Sequence, residues 1–181
     1  MARPPRFLEP EGIYHVTTVG VNRAPVFLTT DDRLRFLALL ERIVSRLGWL
    51  CQEYCLLTNH FHLVVQTPEP NLSRGMHWLN GVYAQSFNRK HERTGHLFGD
   101  RFYAVQVRTD GHLLEVTRYV ARNPIRAGLC RQPYEWEWSS YGALIGYRAP
   151  LAFIDYEGVL RRFGRSRGSA IRAIRAFVEK E

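Results

Sequence analysis

His60-Phe61-His62 is the tightest grouping of metal-competent side chains in the chain. Residues two apart on a strand project from one face, so both imidazoles would point one way while Phe61, Leu63 and Val65 turn into a core. Two adjacent imidazoles can chelate one divalent ion. Taken alone, an H-x-H pair is equally a structural or solvent-facing pair and names no reaction. A second grouping is helical. Tyr119 and Asn123 stand at i and i+4, neighbours on one helix face, with Arg118 and Arg122 a like pair one step round. The bland reading makes Tyr119 an amphipathic core residue and the arginines a solvated face. The chemical reading makes Tyr119 a nucleophile, Asn123 an oxygen ligand and the arginines phosphate clamps. A tyrosine hydroxyl titrates near pH 10 when unperturbed, roughly three units above neutrality. Such a nucleophile needs help, which a divalent ion supplies by polarising a phosphate and neutralising its developing charge.

The elements that must position these groups follow from periodicity and breakers. Ile13 to Val21 is β-branched and partly alternating, which predicts a strand. Thr30-Asp31-Asp32 offers N-cap chemistry before a helix whose apolar stripe runs from Leu34 to Leu47, with Gly48 as its stop. Trp49 to Leu57 and His60 to Thr67 read as a hairpin. Pro68 and Pro70 break it, and Asn71-Leu72-Ser73 opens a helix to about Arg89. His91 to Arg101 reads as a loop and Phe102 to Val107 as a fourth strand. Asp110 caps the tyrosine-bearing helix, which Pro124 should end or bend at Asn123. The order β-α-β-β-α-β plus one helix predicts an α+β, ferredoxin-like antiparallel core with an appended helix. We expect an arm over 1–12, a catalytic domain over 13–130, and an extension over 131–181 that packs on the core and ends in a basic helix around Ser169 to Lys180.

At 181 residues, 45% hydrophobic and 13% aromatic, the chain can bury a real core. No window has the roughly 18 apolar residues of a membrane span, and MARPPRFLEPEG lacks the apolar stretch of a signal peptide. Cys51, Cys55 and Cys130 are too few and too scattered for a disulfide framework or a four-ligand zinc site. We therefore expect a cytoplasmic protein with reduced thiols. Charge says more. The net charge is +8, carried by 23 Arg and only 2 Lys, and residues 71–132 hold ten basic against four acidic residues. Arginine favours bidentate contact with phosphate, so the excess tilts toward nucleic acid, although a basic balance also serves solubility.

Four ordered stretches carry a resemblance: YHVTTVGVNRAPVF (14–27), LLTNHFHLVVQTP (56–68), FNRKHERTGHLFGDRF (87–102) and LLEVTRYVARNPIRAGL (113–129), with YEWEWSSY (134–141) a weaker fifth. Over about residues 13 to 145 the chain resembles the single-tyrosine HUH transposases of the single-strand insertion-sequence type, and among them the REP-associated tyrosine transposases. The resemblance implies His60 and His62 as metal ligands, Tyr119 as the nucleophile, and Asn123 at the position whose amide oxygen completes the metal site. Many family members have Gln there, one methylene longer. Mg²⁺ or Mn²⁺ with retained waters is the expected ion. The implied partner is single-stranded or hairpin DNA of repetitive palindromic elements, bound by a monomer or a homodimer.

Attack by Tyr119 would leave a 5′-phosphotyrosine and a free 3′-OH, conserving the bond energy for strand transfer. Arg89, Lys90, Arg93 and Arg101 around the Gly95 loop, with Arg118, Arg122 and Arg126 around the tyrosine, are the expected DNA contacts, and Phe98, Phe102 and Tyr103 the candidates for base stacking, with core packing the expected role of at least two of these three. His15 is a further candidate to face the site; His96 and His112 read as surface histidines. Two rivals stand beside this reading. One is a domesticated, non-catalytic regulator that binds hairpin DNA, and the other a hydrolytic metallonuclease that uses water instead of tyrosine.

Overall fold

A computed structural model describes residues 8–180, so the first seven positions of the expected N-terminal arm lie outside the described residues. Its sheet has four strands, β1 (Gly12–Val19), β2 (Leu50–Leu56), β3 (His60–Thr67) and β4 (Tyr103–Val107), in the order β2-β3-β1-β4 with all neighbours antiparallel. The intervening helices are α1 (Thr30–Leu47), α2 (Leu72–Lys90) and α3 (Asp110–Arg126). This is the expected ferredoxin-like βαββαβ order with one helix appended. Period-two burial divides the sheet. Tyr14, Val16, Phe61, Leu63 and Val65 join the α1 and α2 side chains in one core, while Cys55, Val64 and Val107 pack with Leu113, Val116 and Val120 of α3 in a second. Residues 15, 17, 60 and 62 therefore lie on the α3 face.

Three local details differ from the sequence-based expectation. The N-cap of α1 is Thr29, closing a capping box with Asp32, because Thr-x-x-Asp satisfies two orphan amides reciprocally. Thr109, not Asp110, caps α3 by accepting from the His112 amide. Pro124 does not end α3, which runs on to Arg126. Proline here removes one amide bond in the final turn, and the Asn123 and Pro124 carbonyls still accept from Ala127 and Leu129, each at 2.9 Å. Asn123 thus keeps helical geometry and stays one turn beyond Tyr119.

Residues beyond α3 form a 3-10 turn (Pro133–Glu135) and the helices α4 (Tyr141–Leu144), α5 (Tyr156–Leu160) and α6 (Arg167–Glu179). This segment runs along the outer edge of β2: Leu56 N donates to Trp138 O (2.8 Å), Ser140 N to Tyr54 O (3.0 Å) and Asp155 N to Cys51 O (2.8 Å). An otherwise open sheet edge is thereby covered. The three cysteines are unpaired. Among the described residues no helix is long and apolar enough to cross a membrane.

Candidate active site

The β1–β3 register builds the site. Thr17 pairs with His62 and Val19 with His60, so one sheet face presents both β3 imidazoles beside the β1 side chains. With its proton on Nδ1, His62 donates toward His15 Nε2 and Thr17 Oγ1, each 3.0 Å away. The His15 and His62 rings stack with centroids 5.1 Å apart. His60 is held in the same way by its chain neighbour: Asn59 Oδ1 lies 2.7 Å from His60 Nδ1, while Asn59 Nδ2 donates to Arg23 O at 3.1 Å. For His62 that arrangement leaves Nε2 as the unprotonated nitrogen, while His60 is held between the Asn59 and Asn123 side chains. The centroids of His60 and His62 are 5.0 Å apart.

Helix α3 brings the tyrosine over this pair. The Tyr119 ring lies 5.5 Å from that of His62 and 5.7 Å from that of His15, edge to face in both cases. Tyr119 is 40% exposed, whereas His62 is 2% and Asn123 7% exposed. The nucleophile candidate is thus reachable from solvent above a buried floor. The Arg126 guanidinium sits over the Tyr119 ring, 4.9 Å from its centroid, a cation–π contact that fixes the ring and places a positive charge beside it.

Burial also sets the charge state. It pushes His62 well below its ordinary value, reinforced by His15 and His60, and it brings His15 down to about 4 with help from His112. His60 is lowered as well, first by burial, although the Asn123 carboxamide opposes the shift. All three imidazoles are neutral at pH 7 and hold lone pairs. His62 Nε2 and Asn123 Nδ2 are buried side-chain atoms without a hydrogen-bond partner. A buried, neutral and unpartnered imidazole nitrogen can donate its lone pair to a cation, so His62 Nε2 fits a divalent ion. Among the described residues no three His, Cys, Asp or Glu side chains are grouped to hold a metal. An ion here would therefore rest on two imidazoles and the Asn123 amide oxygen, completed by water or phosphate oxygens.

Two cavities meet at His15 and Tyr119. One, of about 840 Å³, is lined by His60, His62, Arg23, Arg101 and Tyr103. The other, of about 700 Å³, runs along α3 past His112, Arg118, Arg122 and Arg126. Of the basic residues expected at DNA, Arg101 and Arg126 are at the site. Arg118 and Arg122 line the second cavity yet have protein partners. Arg122 Nη1 donates to Val178 O (2.9 Å) and Lys180 O (2.8 Å), and Arg118 Nη2 to Lys180 O (3.1 Å), which ties α3 to the end of α6. Lys90 binds Asp32 at 3.0 Å and Thr29 at 2.9 Å, at the start of α1. Burial alone would raise the Asp32 carboxyl, but hydrogen bonds from His91, Lys90, Thr29 and Leu28 hold it well below the usual range. Arg93 lies over the Phe87 ring, and Arg89 is exposed at the end of α2. Phe98 packs against the core and Phe102 is buried, while Tyr103 is open to solvent.

Thr17 and Asn59 are functional candidates that sequence reasoning missed. The signal for Thr17 was its strand spacing from His15, and for Asn59 its place directly before the H-x-H.

The profile of the IS200-like transposases matches residues 10–123, from before β1 to Asn123. The chain belongs to the IS200-like transposase family. A Haemophilus influenzae relative, provisionally named a REP-associated tyrosine transposase, is 24% identical over 141 residues, covering 72% of this chain and 80% of its own. A REP-associated tyrosine transposase solved with a bound REP hairpin shares the fold, with a TM-score of 0.68 at 17% identity over 80% of this chain and 86% of that one. Within this transposase family, the matched segment carries both imidazoles, the tyrosine and the asparagine, together with the strand that supplies His15 and Thr17.

Proposed function

We propose that this IS200-like transposase is a metal-dependent single-stranded DNA endonuclease and strand transferase that cleaves near DNA hairpins through a 5′-phosphotyrosine intermediate. The hairpin substrate is supported by the REP-bound structure of the same fold, and the nucleoid of the cytoplasm is where such DNA is met. The observation that carries the chemistry is the accessible Tyr119 ring 5.5 Å from His62, whose Nε2 is buried and unpartnered.

In this reading residues 13–130 form the catalytic unit and residues 131–181 an extension packed on it. His60, His62 and Asn123 hold a Mg²⁺ or Mn²⁺ ion, which supplies charge neutralisation at the scissile phosphate. His15 and Thr17 keep His62 in the tautomer that presents Nε2, and Asn59 orients His60. Tyr119 Oη attacks phosphorus as the bond to the leaving O3′ breaks, so one strand end is joined to the protein and the other carries a free 3′-OH. Arg126 holds the tyrosine ring and adds positive charge where the phosphate must approach.

The test is incubation with end-labelled hairpin DNA bearing single-stranded flanks and Mn²⁺ or Mg²⁺, followed by a denaturing protein gel. A labelled covalent band is expected from the wild type, and none from Tyr119→Phe or in EDTA. Cleavage without any adduct would point to hydrolysis by water. Tight hairpin binding with neither adduct nor cleavage would point to a non-catalytic regulator.

A further inference from the structure

The cavity of about 840 Å³ beside Tyr119 has a wall that the chemistry above leaves unused. Tyr103 pairs directly with Thr17 across the β1–β4 ladder, so its ring projects from the sheet face that carries His15 and His62. Helix α3 does not cover it, and 67% of the residue is exposed. Its chain neighbour Phe102 turns into the core, as strand alternation requires, and Phe98 packs against the same core. One flat aromatic face is thus left open within the cavity that holds both imidazoles and the tyrosine.

Its rim carries charge of both signs, with the arginines in excess. Arg23, Arg101 and Asp100 line it, and both arginines are exposed. Arg23 follows Asn22 on a 3-10 turn where both non-glycine residues have positive φ, 58° and 51° respectively. That left-handed backbone is held in place rather than relaxed. Asn59 Nδ2 donates to Arg23 O at 3.1 Å, and Gly20 N donates to Asn59 O at 2.8 Å. A Cβ on Gly20 would come within 2.2 Å of Ala24 O, so the turn closes tightly at its start. Strain of this kind persists where the surroundings over-determine it, typically at binding sites. Here the same asparagine also orients His60, which couples the rim to the site floor.

We propose that Tyr103, Arg23 and Arg101 form a nucleotide subsite: an unpaired base flanking the scissile phosphate stacks on the Tyr103 ring, and its backbone phosphates lie against the two arginines. The proposal rests on the reading of Tyr119 as a DNA-cleaving nucleophile, since that places a phosphodiester at the mouth of this cavity. An unpaired strand is required because bases within a duplex already stack on one another and have no free face to offer. Aromatic rings serve single strands in this way regardless of sequence.

The test uses the full chain in EDTA, where cleavage is absent, with fluorescence anisotropy of two labelled DNAs, a hairpin with single-stranded flanks and the same hairpin trimmed flush. Stacking on one base corresponds to roughly 5- to 150-fold in affinity. Tyr103→Ala should weaken binding of the flanked DNA by at least fivefold and leave the flush hairpin within twofold, and Tyr103→Phe should restore wild-type affinity. Abasic replacement along the flank should find one position that costs the wild type the same factor and costs Tyr103→Ala nothing further. Arg23→Ala should reduce the salt slope for the flanked DNA by about 0.7, one single-strand phosphate contact. Equal losses on both DNAs, additive effects at every abasic position, or a change below twofold on the flanked DNA would each overturn the subsite. If the wild type bound neither DNA, the functional reading would fall with it. Adduct formation by Tyr119 is scored separately, so the subsite can fail while the nucleophile stands.

Discussion

Glu53 lies on β2 directly beneath the tyrosine helix, and Thr117 Oγ1, two residues before Tyr119, donates to its Oε1. Burial pushes this carboxyl up to about 7 from an ordinary 4.5, with the Thr117 hydrogen bond and the Arg162 charge opposing the shift only in part. The sign of the resulting pH dependence follows from proton counts. Below 4.5 both folded and unfolded chains hold the proton, and Glu53 contributes no pH dependence. Between 4.5 and about 7 the unfolded chain releases it while the folded chain keeps it, so stability falls as pH rises. At roughly 1.36 kcal/mol per unit over about 2.5 units, the loss is on the order of 3 kcal/mol by pH 7.5. Glu53→Gln keeps an acceptor for Thr117 and removes the titration. Any fixed cost of placing an amide there is the same at every pH. Urea unfolding of both proteins at pH 5.0 and 7.5 isolates the effect, because every other titrating group is shared. The variant should gain on the wild type between the two pH values by about 2 kcal/mol, because part of the window lies below pH 5.0, a relative midpoint shift of roughly 1 M urea. Parallel stability profiles would refute the assignment and mean that water or a nearby cation solvates the carboxylate.

Two further perturbations test how the site is held. Asn59→Ala removes the acceptor for His60 Nδ1 and is expected to weaken Mn²⁺ binding by about 10- to 100-fold in calorimetry without DNA, with an unchanged circular dichroism spectrum; unchanged affinity would show that His60 is oriented by other contacts. Arg122→Ala breaks the bonds to the Val178 and Lys180 carbonyls, which should cost about 1–2 kcal/mol and lower Tm by roughly 2–8 °C. A lost DNA affinity with an unchanged Tm would instead make Arg122 a phosphate contact first and a tether second.

Both motifs of the site were legible because each depends on local geometry alone. Strand alternation over His60 to Thr67 decides that the imidazoles share a face, and helical spacing decides that Asn123 accompanies Tyr119. The βαββαβ order was legible for the same reason, since breakers such as Gly48 and Pro68 punctuate it. What escaped was non-local. The His15–His62 contact joins residues 47 apart and exists only because β1 and β3 pair in one register; a one-residue slip would turn His15 into the core. Arg118 and Arg122 read as a basic DNA face, but the carbonyls at the end of α6 lie more than fifty residues away in sequence. Pro124 does not end α3 because its steric rule is local, whereas the packing that keeps Asn123 and Pro124 buried is tertiary.

The same distinction explains why the basic residues of residues 71–132 divide as they do. A cation at a helix terminus meets oxygen partners that folding supplies unconditionally: Lys90 meets the buried Asp32 at the start of α1, and Arg122 the open carbonyls at the end of α6. Such charges hold elements together and gain little from a phosphate. Arg126, in the last turn of α3, rests on the tyrosine ring, while Arg101 and Arg23 stand exposed at the rim of the cavity. An arginine over an aromatic face keeps the edges of its guanidinium open to hydrogen-bond a phosphate. In the proposed reaction the charges free to meet DNA are therefore the few arginines around Tyr119, not the whole count of positive charges, and substituting Arg126 should weaken DNA binding more than substituting Lys90.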